Sequence, residues 1–312
     1  RCTIRPTART TVLGGRRSSA SFGADAGGDW RAFHVARAEL DSILLDHARA
    51  LGVKAHIHRS HVTPIVSGKR IEGVEIDGQP LRCSFVIDAS GQVGWLTRSM
   101  GLKYLAVSPQ LTAFFGYCEG QLPEEQLFEA GGAGWEWMAQ VSPGIVNWTS
   151  LCFGTHKRLP PPVAMSSLPT CNQSGGADVT WRIAPSVAGP GYFIVGDAAF
   201  VTDPASGNGV LRAVMSGIKA AHNAHAVLAG HAPPVAAAQD YQTWIRRWFE
   251  VDTARLGSLY DSLRSDWRAA SDVVTIQRPV FGLQRISGQL RRSSRFKVGD
   301  CYVQNADFEY PQ

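Results

Sequence analysis

Apolar and polar positions follow three rhythms along the chain. Between Trp30 and Gly52, Leu40, Ile43, Leu44, Ala48 and Leu51 recur at helical spacing. Gly52 falls where a helix-ending glycine belongs. The following VKAHIH reads as a strand, which predicts a helix–glycine–strand unit of the α/β type. From Val62 to Gly91 the rhythm shortens to consecutive hairpin strands, with turn signals at Ser67-Gly68 and Asp77-Gly78. The last run, Phe85-Val86-Ile87, is uninterrupted and apolar, as a strand buried on both faces would be. It ends in Asp88-Ala89-Ser90-Gly91 and leads to a short helix at Val93 to Met100. From Leu111 to Phe153 aromatic residues and alternation predict an antiparallel sheet. Lys157 to Gly176 reads as a loop, and VTWRI and GYFIVGD return to strands. Gly207 to Ala229 predicts a helix stopped by Gly230. Its small residues (Ala213, Ser216, Gly217, Ala220) let it lie close to a sheet. Tyr241, Trp244, Ile245, Trp248, Phe249, Leu256, Leu259, Tyr260 and Leu263 mark a second amphipathic helix. The first thirty residues read as loop, and the last fifty carry no clear pattern.

Composition narrows the class. The 312 residues are 44% hydrophobic and 18% charged, an ordinary soluble, globular balance. The formal charge of +5 is spread thinly apart from Arg291, Arg292, Arg295 and Lys297, which read as a solvated basic face, with a patch for an acidic partner as the minority reading; no nucleic-acid partner is expected. Six cysteines are scattered without a CxxC, so a reduced, cytoplasmic chain with no zinc ribbon or dithiol centre is expected. No apolar run reaches membrane-spanning length, and no signal peptide is visible. The pairs and triples of histidines (His56, His58 and His61; His222 and His225) read as surface or packing residues, so no metal site is expected.

The chemistry concentrates in FIVGDAAFVTDPASGNGVLRAVMSGIKAA, Phe193 to Ala221. A strand ending at Val195 delivers Gly196 and Asp197 at its carboxyl edge, where open α/β sheets take ligands. A carboxylate there accepts hydrogen bonds from hydroxyls, so a polyol is a natural partner. Pro204 stiffens a turn, and Gly207, Asn208 and Gly209 form a helix mouth that permits close backbone approach. The N–H groups and positive dipole end of that helix suit an electron-rich ring edge. One segment can therefore hold both the ribityl chain and the ring system of FAD. Arg212, the one charge early in this helix, faces either solvent or a substrate carboxylate.

This stretch, together with VARAELDSILLDHARALG and VIDASG in the same order, resembles the FAD-dependent monooxygenase superfamily. That group includes aromatic hydroxylases, flavin-dependent halogenases and geranylgeranyl reductases. The resemblance implies a Rossmann-like FAD-binding domain of the glutathione-reductase type, an antiparallel substrate sheet and a helical C-terminal region. Residues 1–105 and 186–232 would form the FAD-binding domain, 106–185 the sheet and 233–312 the helical region. It also implies that Arg37, Asp88 and Gly91 lie near the cofactor. The superfamily's opening strand–GxGxxG–helix does not occur in the sequence, so an N-terminally incomplete FAD domain is expected. GWEWMAQ is similar to the halogenase signature WxWxIP: Trp135 and Trp137 match, whereas Ala139 and Gln140 replace Ile-Pro. The two tryptophans either line a substrate pocket or pack the core. Ala205-Ser206-Gly207-Asn208-Gly209 is closer to the hydroxylase and reductase pattern. The expected activity is hydroxylation of an aromatic substrate, small or protein-borne, through a flavin hydroperoxide, with electrons from NAD(P)H or a flavin reductase. Halogenation, or a partner-binding scaffold without FAD, is the alternative.

Overall fold

A computed structural model describes residues 6, 8–57, 61–124, 126–154, 157–171 and 173–269. His58, Cys2, Cys301 and the basic group Arg291 to Lys297 lie outside the described residues.

The antiparallel sheet is seven strands wide. Its order is Gly175–Asp178, Thr112–Glu119, Ile145–Cys152, Gly134–Ser142, Gln126–Gly131, Ala8–Leu13 and Arg16–Ser21. Neighbours are antiparallel except Ala8–Leu13, which runs parallel to Gln126–Gly131. The N-terminal hairpin corrects the expectation of loop. Thr10, Thr11 and Val12 are β-branched and suit a strand, while the exposed Arg-Arg-Ser-Ser partner makes a polar sheet edge that resists pairing with other chains.

Period-two alternation gives this sheet two apolar faces. Trp135, Ala130, Leu151 and Ala113 point to one core, shared with Tyr260, Trp181, Trp267 and Phe153. Phe114, Met138, Val146 and Trp148 point to the other, closed by Met165 from the Lys157–Gly176 loop.

The smaller elements carry the site. Val62–Ser67, Arg70–Ile76 and Gln79–Arg82 form the meander expected from the two glycine turns. Val86–Asp88 pairs in parallel with Tyr192–Ile194, which also pairs with Ala188–Gly189. Val86 and Asp88 are buried, but Ile87 is 45% exposed, so this strand is covered on one face rather than both.

Four helices complete the described chain: α1 (Arg37–Ala50), α2 (Trp95–Ser99), α3 (Gly209–Leu228) and α4 (Pro234–Leu263). Gly52 does adopt a left-handed φ of +90° just past α1. The strand expected at VKAHIH is not formed over residues 53–57: among the described residues it finds no pairing partner. α1 likewise buries none of its side chains, and Ile43 and Leu44 remain exposed. α4 packs Tyr241, Ile245, Phe249, Leu256 and Tyr260 inward, as its periodicity predicts. No helix among the described residues is long and apolar enough to cross a membrane.

Candidate cofactor site at the edge of the parallel strands

The parallel register sets Asp88 beside Ile194, so the turns that leave the two strands start side by side. Val195 N–H donates to the Asp88 carbonyl at 2.9 Å, which joins VIDASG to GDAA. The Asp88 carboxylate itself is buried and used internally. Its Oδ1 accepts from Ser90 N (2.9 Å) and its Oδ2 from Leu96 N (2.8 Å), so it shapes the turn and holds the start of α2. Gly91, at φ +64°, has open space where a Cβ would stand.

Gly196, at φ +58°, turns the chain under α3, where its N–H donates to Ser216 Oγ at 2.9 Å. A methyl on Gly196 would meet Ala213 Cβ at 3.4 Å. The small residues of α3 thus permit the close approach that the sequence suggests. The neighbouring Asp197 is 38% exposed at its side chain, and its Oδ1 accepts from Arg212 Nη2 at 2.8 Å.

Asp203 begins the turn into α3. Its Oδ1 accepts from Ala205 N (2.7 Å), Pro204 sits in the single turn that follows, and Gly207 closes it at φ +69°. α3 begins at Gly209 with no side-chain cap on its first N–H groups, and a Cβ at Gly209 would meet nothing within 4 Å. The Asn208 side chain turns inward, its Nδ2 donating to Asp252 Oδ1 at 3.2 Å. The structure therefore brings Asp88, Gly91, Gly196, Asp197, Pro204, Gly207, Asn208 and Gly209 into one connected corner. Arg37 is not tied to it. It is exposed at the start of α1, and its Nε donates to Asp41 Oδ1 at 2.7 Å.

Both tryptophans pack against the core, Trp135 buried and Trp137 partly buried. Trp135 is 2% exposed, and its Nε1 donates to the Tyr260 hydroxyl at 2.7 Å. Trp137, on the same sheet face, sets its ring edge-on to His34 at 6.1 Å. Tyr260 in turn donates to Asp203 Oδ2 and is ringed by Phe153, Trp181 and Trp267. Burial pushes the Asp203 carboxyl up to about 6, opposed by the hydrogen bonds from Tyr260 and Ala205. Burial and the adjacent Asp203 push the Tyr260 hydroxyl well above its usual range.

The structure answers the alternatives read for Arg212, and one site residue, Asp252, escaped the sequence reading. Arg212 faces neither solvent nor an open pocket: it is 2% exposed, with Nη1 on Thr202 Oγ1 (2.8 Å) and Nη2 on Asp197. Asp252 is 1% exposed beside it, and burial raises its carboxyl. A signal for Asp252 existed. It is the acid interrupting the stripe Ile245, Phe249, Leu256, Leu259 on α4.

Comparison with known proteins places this corner in context. Residues 24–147 match the tryptophan halogenase family. The likeness is to the flavin-dependent halogenases and the wider FAD-dependent oxidoreductase superfamily. A tryptophan 2-halogenase of Chondromyces crocatus is 26% identical over 270 residues, covering 69% of this chain and 48% of that protein. The chain thus spans about half the length of the curated relatives it matches. Among solved structures, the myxobacterial chondrochloren halogenase CndH, described as a variant of FAD-dependent halogenases, superposes with a TM-score of 0.73. It is 21% identical and shares 88% of this chain and 72% of its own. A geranylgeranyl bacteriochlorophyll reductase-like protein of Thermoplasma acidophilum gives a TM-score of 0.67 at 21% identity, over 88% of this chain and 77% of its own. These likenesses show the α/β fold expected from the motifs.

Proposed function

We propose that this chain forms part of an FAD-dependent oxidoreductase of the halogenase type, acting on an aromatic substrate with electrons from a flavin reductase. The observation that carries the reading is the convergence of the Asp88–Gly91 turn, the Gly196-Asp197 corner and the uncapped start of α3. The residues present suit FAD. Asp197 keeps one oxygen without a hydrogen bond among the described residues and is partly exposed, as an acceptor for a polyol needs. Gly91 and Gly209 leave room for a ligand against the backbone, and the start of α3, without a side-chain cap, offers N–H donors to an electron-rich ring edge. When bound, FAD supplies the two-electron chemistry that activates oxygen. The chain's own part is to hold the polyol at Asp197, receive the ring at α3 and keep the corner rigid. Arg37 belongs to the same proposal, as a residue brought to the cofactor by α1, and the division at residues 105, 185 and 232 follows from it.

Halogen transfer is favoured over the hydroxylation inferred from Ala205–Gly209, because the family match and the curated relatives are halogenases. The test supplies the purified protein with FAD, a flavin reductase, NAD(P)H, chloride or bromide and tryptophan or a phenol, and follows product mass. A halogen isotope pattern is expected. Insertion of oxygen alone would replace halogenation by hydroxylation, and failure to retain FAD after desalting would sink the reading.

A further inference from the structure

Arg212 stands in the first turn of α3, where the dipole disfavours a cation, and it is buried, where any charge is costly. A Leu or Met there would pack without either cost. What offsets them is specific. Nη2 donates to Asp197, Nη1 donates to Thr202 Oγ1, and the guanidinium lies 4.5 Å from the centre of the Phe200 ring. Asp252 adds a second carboxylate nearby, and this one is buried. Arg212 Nε and Asp252 Oδ2 are both buried without a hydrogen bond, so the cluster is not arranged to satisfy every atom. Of its contacts, the one that reaches a partly exposed group is the hold on Asp197.

We propose that Arg212 is a positioning residue for ligand binding: it locks the Asp197 carboxylate in one orientation, occupying Oδ1 and presenting Oδ2 to the hydroxyls of a polyol. This deepens the FAD reading and rests on it. Asp197 lies at a surface corner, where an unrestrained carboxylate would sample several rotamers and pay to be ordered when the ligand arrives. Thr202 and Phe200 fix the guanidinium, and the guanidinium fixes Asp197. Ordering thus passes from the strand end at Phe200–Val201 to the acceptor without any contact between Arg212 and the ligand.

A double-mutant cycle on FAD affinity tests this, with thermal unfolding run alongside. Arg212→Met should weaken FAD binding about tenfold in the native background, and by less than about threefold once Asp197→Asn is present, because interacting residues are non-additive. Arg212→Lys should recover part of the loss. Equal losses in both backgrounds, or native affinity in Arg212→Met, would overturn the inference while leaving the FAD reading intact. If Arg212→Met does not fold, Thr202→Val decides in the same way: a loss of FAD affinity that disappears beside Asp197→Asn supports the relay, and a loss that persists refutes it. If the unmodified protein takes up no FAD, the functional reading itself fails and this inference with it.

Discussion

Asp203 shows how a single side chain can be legible in identity and hidden in role. The Asp-Pro pair announces a turn, but not that the second carboxylate oxygen reaches Tyr260 on α4. Its raised carboxyl makes a pH prediction with a definite sign. The folded protein keeps the proton up to about pH 6, whereas an unfolded aspartate releases it near pH 4. Stability contributed by this group is therefore present at low pH and lost as pH rises through that window, by at most about 3 kcal/mol. Urea unfolding at pH 4 and pH 7 should show the Asp203→Asn variant lacking this part of the slope. A difference between the two proteins that does not change with pH would contradict it. Trp135→Phe removes the N–H that Tyr260 accepts and should cost about 1–3 kcal/mol by leaving a buried polar atom less satisfied. Residue-level geometry was readable where backbone and side chain speak together, as at the Gly196 turn that sets Asp197 at the strand end. It was not readable at Arg212, because nothing local distinguishes a buried guanidinium from a solvated one; its anion lies fifteen residues back and across a turn.

At the scale of elements, glycine positions proved to be joints. Gly191, at φ +81°, leads into Tyr192–Ile194. Its carbonyl accepts from Val86 N (2.9 Å), while the preceding Pro190 carbonyl accepts from Ile71 N (2.9 Å). One dipeptide thereby connects the meander to the parallel pair. A methyl on Gly191 would overlap the Ile71 carbonyl oxygen, so Gly191→Ala should destabilise by more than about 2 kcal/mol and separate these strands; thermal unfolding of the variant would check it. Turn signals located the meander, and α3 and α4 were legible because each buries a regular stripe. Periodicity failed at Ala8–Ser21, where an edge hairpin with a wholly exposed outer strand has no apolar alternation to detect. It failed again after Gly52, where a strand-like composition joins no sheet among the described residues.

Across the whole molecule, α4 binds the two sheet systems together. Tyr241 Oη donates to the Ile194 carbonyl (2.8 Å) beside the parallel strands, and Tyr260 meets Trp135 of the seven-stranded sheet. The two tyrosines are nineteen positions apart, about 28 Å along the helix. If the protein unfolds as one unit, Tyr241→Phe and Tyr260→Phe should each lower stability by about 1 kcal/mol and together by their sum within about 0.5 kcal/mol. Two resolved transitions in the double variant would show instead that α4 spans separately melting halves. α1 stands outside this clamp. Fourteen residues of helix with no buried side chain are marginal in water. Its amide protons should therefore trade with deuterated solvent far faster than those of α3. Burial of Ile43 and Leu44 would slow that exchange, because a covered apolar stripe is what this helix lacks.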